Sequence, residues 1–346
     1  MPQAAAVVKR VVIMVQENHT VDSYFRGLRP YSANVATDWP IAQNPPADDP
    51  AHNRKAYFDW LTGASPGEHV QFDTVNLLPY YLYLAVTGAF LENHCAGFGT
   101  NSTANHLIIV GGQSPTLLNP SGTPRWDMPS VLGLAEENGV AWRAYAASGD
   151  YPVAFYTQLN GSANVVPNSR FIADAQAGLL PSLVMLWHDS PFDEHPPADV
   201  TDGMNRIWQS VVQLAYGPRI PLLIFGGPVK PGIDSRWCGH ASIPKTAIDL
   251  LGLPRLGVAR VDQAPSLADL IDPKRAPSSP PPAYGSTGLL PPAPSSPITP
   301  NPVPPPPAGT PQPVGPVTLR DGSTLPPPND APLPRQPSPP TNASGS

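Results

Sequence analysis

With 346 residues the chain could hold one large domain or two, and length alone does not choose. A net charge of -6 and the lack of any Lys/Arg-rich stretch argue against a nucleic-acid partner. Only 13% of residues are charged while 51 are proline, and many of those prolines lie at the C-terminal end.

The first legible element is the run Val11-Val12-Ile13-Met14-Val15, apolar and mostly β-branched, the composition of a strand covered on both faces. Gln16-Glu17-Asn18-His19 follows, and Thr20 is an expected N-cap for a short helix with Asp22 in its first turn and Gly27 closing it. In open α/β sheets ligands sit beyond the carboxyl ends of strands, which is where Glu17 and Asn18 fall. A carboxylate beside an amide oxygen suits a hard divalent cation. Residues 38–69 are polar, rich in Pro and Asp, and read as loop; within them stands Asp48-Asp49-Pro50-Ala51-His52.

Further strands are expected at 140–145, 182–187 and 220–225, and helices at 78–90, 103–110, 130–138, 203–214 and 242–251. This alternation is the signature of an α/β domain over 8–272, a mostly parallel sheet with helices on both faces. Two of its segments carry chemistry. In Asn101-Ser102-Thr103-Ala104-Asn105-His106, Ser102 falls at a helix N-terminus, where backbone N–H groups and the helix dipole favour negative charge. It suits either a nucleophile or a cap. After the strand ending at Trp187, His188-Asp189-Ser190-Pro191-Phe192-Asp193-Glu194-His195 holds more titratable groups than a loop needs.

Cys95 and Cys238 could pair or remain two thiols, and spacing does not decide. No stretch is long enough to span a bilayer, and no export signal is visible, which leaves a cytoplasmic location as the expectation for the chain as written. Residues 273–346, dominated by Pro, Ser, Ala and Thr, are expected to be disordered or polyproline-like, a spacer or a ligand for proline-binding proteins. Within them, the island Val317-Thr318-Leu319-Arg320-Asp321-Gly322 could form a turn but is too small to fold alone.

Taken together, the segments of residues 8–272 resemble the bacterial phosphoesterase family that contains phosphatidylcholine-type phospholipases C and an acid phosphatase, within the alkaline phosphatase-like superfamily. The family's Glu-Asn-x-x-x-Asp-x-Tyr-Phe pattern appears as Glu17, Asn18, Asp22, Tyr24 and Phe25. Its nucleophile motif appears as Ser102-Thr103-Ala104-Asn105, and its Glu-His-Pro motif as Glu194-His195-Pro196. Gly217-Pro218-Arg219-Ile220-Pro221 is similar to a family strand, and Gly239-His240-Ala241-Ser242-Ile243 to a family helix start. The resemblance implies an alkaline phosphatase-like fold and one divalent metal ion held by Glu17 and Asn18. It implies Ser102 as the nucleophile that forms a phosphoseryl intermediate. Asn105, His52 and His195 would hold the phosphoryl oxygens, with a histidine protonating the leaving alcohol and His240 at the substrate. The substrate would be a phosphomonoester or a phospholipid.

The chain also departs from that pattern. The family strand that ends in an acidic pair and completes the metal site is missing, because Trp208-Gln209-Ser210-Val211-Val212-Gln213-Leu214 runs directly into Ala215-Tyr216-Gly217. Asp193, Glu194 and Asp234 are the acids that could substitute. Hard-cation affinity follows ligand charge and number. The alternative reading is therefore a catalytically impaired relative that binds a phosphorylated ligand or a partner protein. Residues 38–75 and 113–130 are expected to shape the pocket mouth.

Overall fold

The structure, a computed structural model, describes residues 8–31, 33–36, 38–53, 55–56, 70–97, 101–213, 223–224, 229–236, 238–275 and 316–326. At its centre four strands form one parallel sheet: β1 (Val11–Val15), β4 (Trp142–Ala146), β5 (Val165–Pro167) and β6 (Leu183–Trp187), in the order β1-β6-β4-β5. β1 lies in register on β6 from Val11↔Leu183 to Val15↔Trp187, and β4 on the other side of β6 from Trp142↔Leu183 to Tyr145↔Leu186.

Side chains of a strand alternate between faces, and here both faces are apolar. Ile13, Val15, Ala144, Ala146, Met185 and Trp187 enter one core with the helices Ser102–Gly111, Val131–Glu137 and Ser242–Leu251. Val12, Met14, Tyr145, Val184 and Leu186 enter a second core with Pro79–Thr87, Phe171–Gln176 and Val200–Gln213. Helices thus cover both faces of a parallel sheet, the α/β arrangement expected from the sequence. The expected strands and helices match the described elements to within a few residues, except at the places below.

The apolar run expected to be helical over 78–90 stops earlier. Pro79 opens the helix at a position where its missing N–H costs nothing. Gly88 then turns extended (φ -109, ψ -161), and β2 (Ala89–Leu91) follows, fully buried. A short apolar run does not distinguish helix from strand by periodicity. β2 pairs antiparallel with β7 (Leu223–Ile224) and parallel with β8 (Gly232–Asp234), so the 223–224 part of the expected 220–225 strand belongs to a separate three-stranded sheet. Most of the Gly217–Ile224 motif lies outside the described residues. A further parallel pair joins β3 (His94–Cys95) to β9 (Cys238–Gly239).

Thr20 is the N-cap it was expected to be, exchanging hydrogen bonds with Ser23 in a capping box. Gly27 does not close that helix, which ends at Tyr24 before a 3-10 turn, Arg26–Tyr31. Its role is close approach: a Cβ there would stand 3.1 Å from Thr74 Cβ and 3.2 Å from Leu82 Cδ2.

One stretch of residues 273–346 departs from the expected lack of packed structure. β10 (Val317–Thr318) and β11 (Thr324–Leu325) form a hairpin, and Val317 is buried in the first core. The island folds by docking, consistent with being too small to fold alone.

Candidate functional site

The carboxyl ends of β1, β4 and β6 deliver three segments to one edge of the sheet: Gln16 to His19, Ala147 to Tyr151, and His188 to Pro197. The Ser102–Gly111 helix points its N-terminus at the same edge. A pocket of about 420 Å³ opens there, lined by Glu17, Ser102, Thr103, Tyr151, Phe155 and His195 among others. Asn119, Pro120, Gly122 and Thr123 also line it, so the segment 113–130 does form part of the mouth.

Glu17 and Ser102, 85 positions apart in the chain, meet in this pocket, close enough for the Ser102 hydroxyl to favour the ionised Glu17 carboxylate. His106 Nε2 lies 2.7 Å from Glu17 Oε1, and the Trp187 indole N–H donates to His106 Nδ1 at 3.1 Å. An indole N–H only donates, so Nδ1 must carry the lone pair and Nε2 the proton. His106 is thereby fixed as the neutral tautomer that donates to Glu17. Burial works to raise the Glu17 pKa, but His106, His195 and Ser102 outweigh it and hold the group below its ordinary value. Ser102 and His106 are four residues apart, one helical turn, so both face the same carboxylate. That spacing was readable in the sequence, where His106 carried no assigned role.

Across the mouth stand His52 and His195, their rings 5.8 Å apart. His195 Nε2 is 4.0 Å from Asp49 Oδ2, and His52 Nδ1 is 3.5 Å from Asp49 Oδ1. Asp49, His52 and His195 could hold a metal ion, since one ligand atom of each lies within 4.8 Å of the others. Asn18 Nδ2 is 3.3 Å from His52 Nε2, which ties the acid–amide pair to this group. Asn18 itself has φ 58, a left-handed conformation that asparagine tolerates better than most residues.

Other expected site residues sit elsewhere. Asn105 turns back along its own helix and donates to the Asn101 carbonyl at 3.3 Å; it does not line the pocket. His240 Nδ1 meets His94 Nε2 at 2.9 Å in a desolvated niche where burial pushes both imidazoles' pKa down, His94 to about 4. His240 does not line the pocket either. Cys238 Sγ is 3.4 Å from His94 Nδ1, and Cys95 and Cys238 are free thiols.

Of the acids named as substitutes for the missing pair, Glu194 faces inward. It is fully buried and accepts hydrogen bonds from Gln16 Nε2 (2.9 Å), Tyr24 Oη (2.8 Å) and the Tyr81 hydroxyl. Burial drives its pKa up to about 7 against those donors. Asp234 is bound to Arg236 at 2.7 Å beside the small sheet. Asp193 remains near Glu17, and its own burial, followed by the Glu17 charge, raises its pKa.

The two loops that carry Glu17 and His195 are stitched together. Glu17 N donates to Asp193 O at 2.8 Å, Gln16 Nε2 to Phe192 O at 2.9 Å, and His19 Nε2 to Glu194 O at 2.9 Å. Glu194 adopts φ 68, a strained conformation for its residue type. With its side chain inside, the next residue, His195, reaches the pocket.

Comparison with known proteins returned no matching family model and no matching curated sequence. Among the described residues no helix is long and apolar enough to cross a membrane.

Proposed function

We propose that the chain is a phosphoester hydrolase of the phospholipase C/acid phosphatase type on an alkaline phosphatase-like fold, with Ser102 as nucleophile. One observation carries this reading. A serine hydroxyl at the first turn of a ten-residue helix faces an ionised carboxylate in a pocket that also presents a histidine. Ser102 Oγ forms the bond to phosphorus as the bond to the leaving alcohol breaks, and the serine proton ends on that alcohol. Water then cleaves the phosphoseryl ester and frees phosphate or a phosphomonoester.

A carboxylate with a lowered pKa is a weak base, so Glu17 orients the hydroxyl more than it deprotonates it. Stabilisation of the developing alkoxide falls to the helix dipole at this N-terminus, because the Thr103 N–H is itself taken by Asn119 Oδ1, 3.1 Å away. The divalent ion implied by the motif resemblance would neutralise phosphoryl charge when bound. Glu17 suits such an ion only in part, because its carboxylate already accepts a hydrogen bond from His106. This favours a second reading, a non-catalytic binder of phosphorylated ligands.

The test offers purified protein a chromogenic phosphate ester and phosphatidylcholine, with excess divalent metal. Turnover that falls by at least about 1,000-fold in Ser102→Ala supports the hydrolase. Binding of either compound without turnover supports the binder, and hydrolysis that survives Ser102→Ala overturns the proposed nucleophile.

A further inference from the structure

The Glu17 carboxylate already accepts from His106, yet Asp49, His52 and His195 bring one carboxylate and two imidazoles together beside the pocket. We propose that Asp49, His52 and His195 form a binding site for a transition-metal ion of the zinc class, distinct from the Glu17–Asn18 pair to which the motif resemblance assigns the metal. The proposal does not rest on the hydrolase reading, since it concerns binding of the ion alone.

The ring chemistry supports it. His52 Nδ1 is 2.8 Å from the Pro50 carbonyl, and His195 Nδ1 is 2.8 Å from the Pro196 carbonyl. A carbonyl oxygen can only accept, so both Nδ1 atoms carry protons, and a neutral ring keeps its lone pair on Nε2. Metal-ligating histidines are typically oriented as His195 is, with the second ring N–H donated to a carbonyl or carboxylate. His52 instead meets Asp49 through Nδ1 and holds Nε2 toward Asn18, so its ring must turn to bring Nε2 to the ion. His195 Nε2 and Asp49 Oδ2 then face each other at 4.0 Å as two lone-pair atoms, an arrangement that only a cation or an added proton makes favourable. Two imidazoles and one carboxylate leave a fourth position open, the ligand set of catalytic rather than structural zinc sites.

The fit is close in space as well. Bonds of about 2.0–2.2 Å place tetrahedral ligand atoms roughly 3.3–3.6 Å apart. The 4.0 Å separation must close by about half an ångström, a small movement for side chains 37% and 32% exposed. His52, at 35%, is equally open to solvent, so an ion can enter. Asn18 now donates its amide to His52 Nε2. Two imidazoles select zinc, cobalt or copper over magnesium and calcium, which prefer all-oxygen shells.

Chelator-stripped full-length protein titrated with Co(II) alone tests the site through its visible d–d absorption. The expected result is one equivalent bound with an intense low-symmetry spectrum, displaced by Zn(II) and unaffected by excess Mg(II). Loss of even an outer-shell partner costs about 10–100-fold in affinity, so His52→Ala, His195→Ala and Asp49→Asn should each weaken binding by more than about 100-fold. Near-ultraviolet circular dichroism of each metal-free variant checks that it remains folded, as partly exposed positions should allow. Ser102→Ala should bind Co(II) as the parent does, even if hydrolysis is lost, which separates the fate of this site from that of the proposed nucleophile. A Co(II) site that survives either histidine substitution, or no spectral change at all, overturns the proposal.

Discussion

Glu17 and Glu194 lie on two loops joined by backbone hydrogen bonds, yet their surroundings push them in opposite directions. Glu17 stands at the pocket, receives the His106 N–H, and is held below its ordinary pKa by His106, His195 and Ser102. Glu194 points away from the pocket into the apolar layer beneath, and its pKa rises to about 7 although Tyr81, Gln16 and Tyr24 all donate to it. Carboxyl groups driven apart in this way take different roles, one ionised and one about half protonated near neutrality. Glu17 can act on a ligand, whereas Glu194 ties Gln16, Tyr24 and Tyr81 to the residue preceding His195. The inner group fixes the frame on which the outer groups converge.

The most disruptive way to break this contrast is to remove the inner carboxyl. Glu194→Ala leaves two buried phenols and the Gln16 amide without their acceptor and opens a cavity beside Gly203, whose position would place a Cβ 2.0 Å from Glu194 Cγ. A loss of about 3–5 kcal/mol is expected in urea unfolding. If the variant loses less than about 1 kcal/mol, Glu194 does not hold the loops together. The matching substitution at the outer carboxylate, Glu17→Gln, should leave stability far less affected, since that side chain is partly solvated.

A gentler change sharpens the comparison through pH. The folded state keeps Glu194 protonated up to about 7, whereas the ordinary value is 4.5. Between those values the native protein binds a proton that the unfolded chain has released, so stability falls as pH rises across that window. A shift of this size corresponds to roughly 3 kcal/mol. Glu17 has the opposite sign: its contribution is present above the ordinary value 4.5 and is lost as pH falls through its lowered folded pKa. Glu194→Gln keeps the shape and removes the titration, so the parent's unfolding free energy should fall relative to the variant's from pH 4.5 to 7. This fall comes on top of the rise that the buried neutral His19, His94 and His188 give to both proteins. Parallel curves for the two proteins would show that the slope arises elsewhere.

Local pattern made part of this arrangement legible in advance. The β-branched run of β1, the Thr20 cap and the glycine that ends the Ser242–Leu251 helix are all set by neighbouring residues, and they fall where the sequence places them. So does Ser102 at a helix N-terminus. What local pattern cannot carry is the side of a loop from which a side chain projects. Glu194 and His195 are adjacent and both polar, and only the positive φ of Glu194 sends one inward and the other to the pocket. Trp187 fixing the His106 tautomer, and Asp49 approaching His195, join residues 81 and 146 positions apart, contacts that no periodicity encodes.

The smallest expected effect concerns a second contrast, between the docked hairpin and the proline-rich sequence around it. Gln113, just beyond the Ser102–Gly111 helix, meets the Thr318 backbone at both ends of its amide: Nε2 donates to Thr318 O at 2.6 Å, and Oε1 accepts from Thr318 N at 2.9 Å. Arg320 N donates to Asp127 O at 2.9 Å, and its guanidinium reaches Glu137 at 2.9 Å. Of these contacts the apolar one should dominate, because Val317 is 1% exposed whereas the Arg320–Glu137 pair is 40% and 52% exposed. Val317→Ala removes buried methyl groups and should cost about 1–2 kcal/mol. Arg320→Ala should cost less than about 1 kcal/mol, as surface ion pairs generally do. Both are read from urea midpoints at constant slope. If Arg320→Ala proves the more damaging, charge rather than burial anchors the hairpin, and it cannot be counted as part of the core behind the Ser102 helix.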